Sequence, residues 1–315
     1  MIAGRSTALS RRGFLVATAM VVAAGCGRGG TGGRLRLAAG DPGGLYLAFA
    51  QILARQLQIR HPDITVDVLA TEGTVDNLAR LRSGDVDMGL ALADVAERDR
   101  ADGAPGSAPP AVARVYENYL QVIVRNSAPL QQLSDLQGLR VSIGPAGSGA
   151  AATSQVLFDA GGLHMPVDTV NYRLKDGLSR LADGGIDALV WSGGVPTPAI
   201  AELDEKVPLR MLDIGGLAAP MSRLAGYPYV VRRVPMGSYV PEGVRSIGVP
   251  DLLLCRPDIA TDLVVAIVDV LATDAAQLVP PYVRGLQYLD TPSMIQTGLI
   301  PLHPGAISAY RKLHG

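Results

Sequence analysis

Cysteine is nearly absent from this chain. Cys26 and Cys255 are the only two in 315 residues, too few to build a zinc site by themselves. The four histidines (His61, His164, His303 and His314) are scattered and show no ligand spacing such as HxxxH, so neither a metal nor another cofactor is expected. Aromatic residues make up only 4%, which weakens any reading built on stacked bases or aromatic cages. Lysine is scarce, three against twenty-five arginines, a coding bias rather than chemistry. No basic stripe occurs and the formal net charge is −1, so nucleic-acid binding has no electrostatic support. What is present is an apolar chain, 48% hydrophobic and 18% charged. That balance excludes wholesale disorder, and the length allows about two domains.

The first 25 residues read as an address. Ser10-Arg11-Arg12-Gly13-Phe14-Leu15 is similar to a twin-arginine export signal. The apolar run that follows ends at Ala24, too short for the roughly twenty residues a bilayer requires but suited to a signal-peptide core. Ala23-Ala24-Gly25-Cys26 resembles a lipobox with Ala in place of the usual Leu, which would make Cys26 the lipidated first residue of the mature chain. The alternative is a soluble secreted protein cut nearby. Residues 26–33 hold five glycines after Cys26 and read as a flexible tether. Cys255, within an apolar strand, reads as a buried inert thiol.

From Leu35 onward, strands alternate with helices. Strands are expected at 35–38, 65–68 and 88–92, with helices at 46–59 and 74–83, Thr74 as N-cap and Gly84 as the stop. A loop follows over 101–110. After a strand at 120–124 the pattern restarts, with strands at 140–143, 168–172 and 188–191 and helices at 150–160 and 176–182. A strand at 247–254 and a helix at 258–271 come later. Two βαβαβ units imply an α/β fold of two lobes, each a mainly parallel sheet flanked by helices, with a hinge and a ligand cleft between them.

The strongest chemical signal is a pair of glycine-rich turns in equivalent places. Gly40-Asp41-Pro42-Gly43-Gly44 follows the first strand of one unit; Pro145-Ala146-Gly147-Ser148-Gly149 follows the first strand of the other. Such turns open helices with free backbone N–H groups, where the dipole favours an anion. Neither fits GxxxxGK[ST] or GxGxxG. Thr74 and Asn77 share a helix face at the start of the 74–83 helix. Trp191-Ser192-Gly193-Gly194-Val195-Pro196-Thr197-Pro198 forms a fixed loop after a strand, with Trp191 either core filler or a cleft wall. Asp94 follows the third strand with no histidine nearby to pair with it. Ser148 and Ser192 lack an obvious base and GxSxG is absent, so an enzyme is not expected.

These motifs together resemble a known family. Pro42-Gly43-Gly44-Leu45-Tyr46, Thr74-x-x-Asn77-Leu78, Ser83-Gly84-Asp85-Val86-Asp87, Asp135-Leu136-Gln137-Gly138 and Gly147-Ser148-Gly149 occur in order. So do Gly193-Gly194-Val195-Pro196-Thr197-Pro198-Ala199-Ile200 and Pro301-Leu302-His303-Pro304-Gly305. The pattern is similar to the TAXI family, the extracytoplasmic solute receptors of TRAP transporters. The resemblance implies a type II periplasmic-binding-protein fold, with lobe 1 at 34–115 plus 244–315 and lobe 2 at 116–243. It also implies a monomeric receptor, anchored outside the membrane through lipid on Cys26, that passes a small organic acid or amino-acid-like solute to permease subunits. It places ligand contacts at Gly43, Gly44, Tyr46, Thr74, Asn77, Asp94, Gly147, Ser148, Gly149, Trp191, Ser192, Gly193, Gly194, Pro196 and Thr197. His303 is expected to be structural.

Departures bear on the ligand. Leu45 stands where such receptors often carry Thr, and Leu92-Ala93 where they often carry Gln-Ser. A less polar pocket favours a solute less polar than glutamate, with Arg173 and Arg233 as candidate carboxylate partners. Competing readings are an ABC-importer receptor of the same fold and a sensory lipoprotein that presents the solute to a membrane kinase.

Overall fold

The computed structural model describes residues 33–104, 106–284 and 289–313. The predicted signal peptide and Cys26 lie outside these. In chain order the elements are β1 (Gly33–Ala38), α1 (Leu45–Arg60), β2 (Ile64–Leu69), α2 (Thr74–Ser83), β3 (Met88–Leu92), α3 (Ala93–Asp102) and β4 (Ala111–Arg125). Then follow β5 (Arg140–Ser142), α4 (Gly149–Ala160), β6 (Asp168–Val170), α5 (Leu174–Asp183), β7 (Ala188–Gly193), α6 (Pro198–Asp204), β8 (Leu209–Met211) and α7 (Ala218–Ala225). Last come β9 (Val230–Arg233), β10 (Arg245–Cys255), α8 (Thr261–Thr273), α9 (Thr291–Met294) and α10 (Pro304–Leu313).

The strands form one mixed sheet whose main path is β2-β1-β3-β10-β4-β7-β5-β6, with β8 beside β4 and β9 beside β10. Its two flanks are the two βαβαβ units. In one, β1 pairs parallel with β2 and β3; in the other, β5 pairs parallel with β6 and β7. Between them run the two long strands β4 and β10, antiparallel to each other and to β7 and β3 respectively. Each flank therefore has its own set of strand ends and helix starts, while β4 and β10 run continuously through the middle.

Burial follows the sequence pattern. On α1, Leu45, Phe49, Ala50, Leu53 and Leu57 form the buried stripe, the spacing of one helix face. Leu53 and Leu57 are fully enclosed with Leu37, Met88 and Leu90. Truncating either to Ala should cost about 2–5 kcal/mol. Helix α2 runs over the expected residues and stops at Gly84, which is left-handed at φ +77°, a conformation glycine adopts without strain.

Three expectations are corrected. Thr74 is not the N-cap of α2; Gly73 is, and Thr74 occupies the first helical position. Helix α3 starts directly after β3, eight residues before the expected loop. Only its first turn, Ala93–Ala96, is buried, and the rest is charged, so it carries no apolar periodicity. Strand β4 begins at Ala111 rather than Leu120 and is almost continuously buried. Its apolar run is interrupted by Glu117 and Asn118, both buried, just before the expected start. Cys255 is fully buried, and burial pushes its thiol up to about 12. His303 is also buried, its Nδ1 accepting the Gly305 N–H at 3.1 Å.

Candidate functional site

Helices α1, α2 and α4 all begin around one cavity between the two flanks. Its walls include the turn Gly40-Asp41, the α1 start Gly44-Leu45-Tyr46, and Glu72-Gly73-Thr74 at the start of α2. Leu92 from β3, Asn118 from β4, Ser148-Gly149-Ala150 at the α4 start and Trp191-Ser192 from β7 complete it. The cavity volume is about 40 Å³, which suits a small solute.

A chain of hydrogen bonds runs behind the cavity wall. The Leu92 N–H donates to Thr74 Oγ1 at 3.0 Å, and Thr74 Oγ1 lies 3.3 Å from the Tyr46 hydroxyl. Tyr46 donates to Asp251 Oδ1 at 2.6 Å, and Asn118 Nδ2 donates to the same oxygen at 3.3 Å. Asp251 is fully buried at the middle of β10, opposite Tyr116 on β4 and Leu92 on β3. Desolvation holds its carboxyl well above the usual carboxylate range, opposed in part by the Tyr46 hydrogen bond. Burial likewise holds the Tyr46 hydroxyl far above 10. Asp41 is 7% exposed. Burial raises its carboxyl too, and the Arg173 guanidinium, 3.6 Å away, opposes the rise.

The two flanks touch around the cavity. Glu72 Oε2 accepts the Gly147 N–H at 2.9 Å, and the Asp76 N–H donates back to the Gly147 carbonyl at 3.1 Å. Asp94 Oδ2 accepts from Thr153 Oγ1 of α4 at 2.8 Å and from the Tyr229 hydroxyl at 2.7 Å, with Arg98 3.6 Å away. Desolvation raises the Asp94 carboxyl, and Arg98, Tyr229 and Thr153 pull it back. A Cβ built on Gly149 would lie 2.5 Å from Leu92 Cδ1 and 2.7 Å from Thr74 Oγ1. Only glycine allows this approach of α4 to β3 and α2.

Of the residues singled out from the sequence, Gly44, Tyr46, Thr74, Ser148, Gly149, Trp191 and Ser192 line the cavity. Trp191 is thus a wall rather than core filler alone. Gly43, Asn77, Asp94, Gly147, Gly193, Gly194, Pro196 and Thr197 do not line it. The Asn77 amide donates to the Ala39 and Leu90 carbonyls and accepts from Thr71, tying α2 to β1 and β3. Asp94 and Gly147 make the contacts between flanks described above. The Gly193–Thr197 loop is held by hydrogen bonds of its own. Gln121 Nε2 donates to the Gly193 and Gly194 carbonyls, Thr197 Oγ1 donates to the Gly194 carbonyl, and the Tyr239 hydroxyl accepts the Thr197 N–H. The Val195–Pro196 peptide within it is cis. Gly43 faces Leu174. Arg173 reaches Asp41, whereas Arg233 is exposed on β9 away from the cavity. Sequence reasoning missed Asp41, Glu72 and Asn118. Asp41 stood inside a turn read only for its glycines, and Glu72 stood one residue before Gly73-Thr74. Asn118 carried no local signal.

Among the described residues no helix is long and apolar enough to cross a membrane, and no group of three or more His, Cys, Asp or Glu is placed to hold a metal ion. The fold is similar to that of Tv2483, solved bound to L-arginine, with a TM-score of 0.52, 15% identity, and 81% of this chain and 93% of that one covered. It is also similar to the substrate-binding protein of an amino acid ABC transporter (TM-score 0.48, 15% identity, 78% and 96% covered). A third likeness is to the alkanesulfonate-binding protein SsuA from Xanthomonas axonopodis pv. citri bound to MOPS (TM-score 0.46, 16% identity, 88% and 83% covered). This is the type II periplasmic substrate-binding protein fold, α/β and two-lobed. Residues 37–312 match the NMT1-like family, and the chain belongs to that family.

Proposed function

We propose that this protein is an extracytoplasmic solute receptor. It captures a small organic acid or amino-acid-like solute by closure of two lobes, 34–115 with 244–315 and 116–243, and carries out no turnover. The observation that supports this best is the cavity itself. It lies where the helix starts of both flanks face each other. Binding in the crevice beyond the strand ends is the general habit of open α/β sheets, and hinge closure around a solute is a common repertoire. The receptor delivers its solute to a TRAP-type importer. That step rests on the resemblance of Gly193–Ile200 and its companion motifs to the TAXI receptors. Anchoring through lipid on Cys26 rests on the lipobox-like segment. Thermal shift of the chain carrying Cys26→Ser, across small organic acids, amino acids and sulfonates, tests the receptor role. A ligand at a hundred times its dissociation constant adds about 2.7 kcal/mol. A library without a single stabilising compound would count against the reading.

A further inference from the structure

Asp94 is expected from the sequence to touch the solute, yet neither it nor Arg98, Thr153 or Tyr229 lines the cavity. Its carboxylate is fully buried. A buried charge is tolerated only where hydrogen bonds replace the lost water, and here the donors come from the opposite flank. Thr153 Oγ1 of α4 lies 2.8 Å from Asp94 Oδ2, and the Tyr229 hydroxyl lies 2.7 Å from the same oxygen. Arg98, one turn along α3, has Nη2 3.6 Å from that oxygen and 3.5 Å from the Ala152 carbonyl of α4.

Both donors are held in place. Burial and the neighbouring Asp94 charge keep the Tyr229 hydroxyl far above its usual 10, so it stays a donor. The Tyr229 N–H donates to Ser222 Oγ of α7 at 3.0 Å. Its ring packs edge-on against Tyr227, with 5.0 Å between centroids. Helix α7 in turn packs against α4, and Thr153 is fully buried.

The elements that carry these residues also reach the cavity. Leu92 of its wall stands just before α3, and Gly149 of its wall stands one turn before Thr153 on α4. Separating α3 from α4 would open the cavity and break these bonds together. The contact at Glu72 differs. Glu72 accepts the Gly147 N–H at 2.9 Å but is itself a cavity wall, within reach of a solute. The Asp94 bonds need no solute.

We propose that Asp94, Thr153 and Tyr229 form a clasp that holds the two flanks together whether or not a solute is bound, so that affinity is set in part away from the binding surface. This deepens the closure reading and rests on it. Each hydrogen bond to the carboxylate favours the closed form by roughly ten- to a hundredfold. Solute affinity falls in proportion to the closed fraction that is lost.

Trp191 supplies the readout. It is the only tryptophan of the chain and is buried. It abuts the other flank, since a Cβ built on Gly44 would lie 3.2 Å from its Cζ2. Acrylamide quenching of its fluorescence, in the full chain carrying Cys26→Ser and without solute, tests the clasp. The unaltered clasp should leave Trp191 weakly quenched. Thr153→Val combined with Tyr229→Phe should raise the quenching constant about twofold or more, while circular dichroism shows a folded chain. A merely structural role would lower the urea midpoint and leave Trp191 shielded, and that result overturns the proposal. So does an unaltered clasp whose Trp191 is quenched as readily as after unfolding in urea. Neither result bears on the receptor reading, which thermal shift across the small-molecule library decides. If the double variant does not fold, Thr153→Val alone is read in the same way.

Discussion

Gly149→Ala is the sharpest perturbation of closure. The added Cβ would sit 2.5 Å from Leu92 Cδ1 and 2.7 Å from Thr74 Oγ1, so something must move. Thr74 cannot rotate without giving up the Leu92 N–H that its Oγ1 accepts at 3.0 Å. Leu92 is 1% exposed and lines the cavity, so a shift towards the cavity would take the ligand's space. Overpacking of this kind costs about 1–3 kcal/mol. The strain exists only while α4 lies against β3 and α2, and a chain whose flanks separate escapes it. The penalty therefore falls on the closed, ligand-holding form, a loss of affinity of about 5–150-fold.

Thermal shift measures this directly. At a ligand concentration a hundred times the unaltered chain's dissociation constant, stabilisation is about 2.7 kcal/mol; a 30-fold weaker variant at that concentration keeps only about 0.9 kcal/mol. For a chain of this size, at about 2.1 cal/mol/K of unfolding entropy per residue, that is a fall from roughly 4 °C of midpoint rise to about 1.4 °C. Gly216→Ala is the control, because a Cβ there meets nothing within 4 Å and its φ is not positive. The reasoning is refuted if Gly149→Ala binds within twofold of the unaltered chain at an unchanged ligand-free midpoint.

Other predictions address the buried carboxylates and thiol. Asp251 has a folded-state pKa held above its ordinary 3.8 by burial, so its ionisation opposes folding as pH rises from about 4 through the raised value. Asp251→Asn keeps an acceptor for Tyr46 and removes that slope. Its urea midpoint should exceed the unaltered chain's by more at pH 8 than at pH 4.5, and equal gaps would contradict the assignment. Tyr229→Phe removes a donor 2.7 Å from buried Asp94 and should cost about 1.5–3 kcal/mol in urea unfolding; an unchanged midpoint would mean the contact between flanks carries no stability. With Cys26→Ser in place, Cys255 should resist a thiol reagent such as DTNB in the native chain and react once urea unfolds it, since it is fully buried with its thiol pushed up to about 12. Fast native labelling would show that β10 opens.

Much of this fold was legible because periodicity is local. Helix α2 and strand β3 have the expected ends, since an apolar stripe closed by Gly84 and a run of five buried residues each announce themselves within ten positions. Both glycine turns were legible for the same reason, and both reach the cavity. What stayed hidden depends on distant partners. Asn118 is placed by its hydrogen bond to Asp251, 133 residues away. Thr74 reads as a cap in isolation, yet its hydroxyl serves the Leu92 N–H of a neighbouring strand. Asn77 shares a helix face with Thr74, but two backbone carbonyls claim its amide. Polar residues at Glu117 and Asn118 hid the first half of β4, because a pattern of apolar alternation cannot distinguish a buried polar residue from an exposed one.

The sign of the solute is where a local reading stops. Glycine turns at helix starts argue for an anion, and each helix terminus is worth about 0.3–1 kcal/mol to one, up to about 2 when partly buried. Two like charges about 4 Å apart at an effective dielectric of 20 repel by about 4 kcal/mol, so an unpaired Asp41 on the cavity wall would outweigh the termini. Arg173, however, lies 3.6 Å from its Oδ2, and the guanidinium opposes the rise that burial imposes on the carboxyl. The turn therefore meets a solute with a paired charge, and the surrounding glycines decide how closely the backbone can approach it.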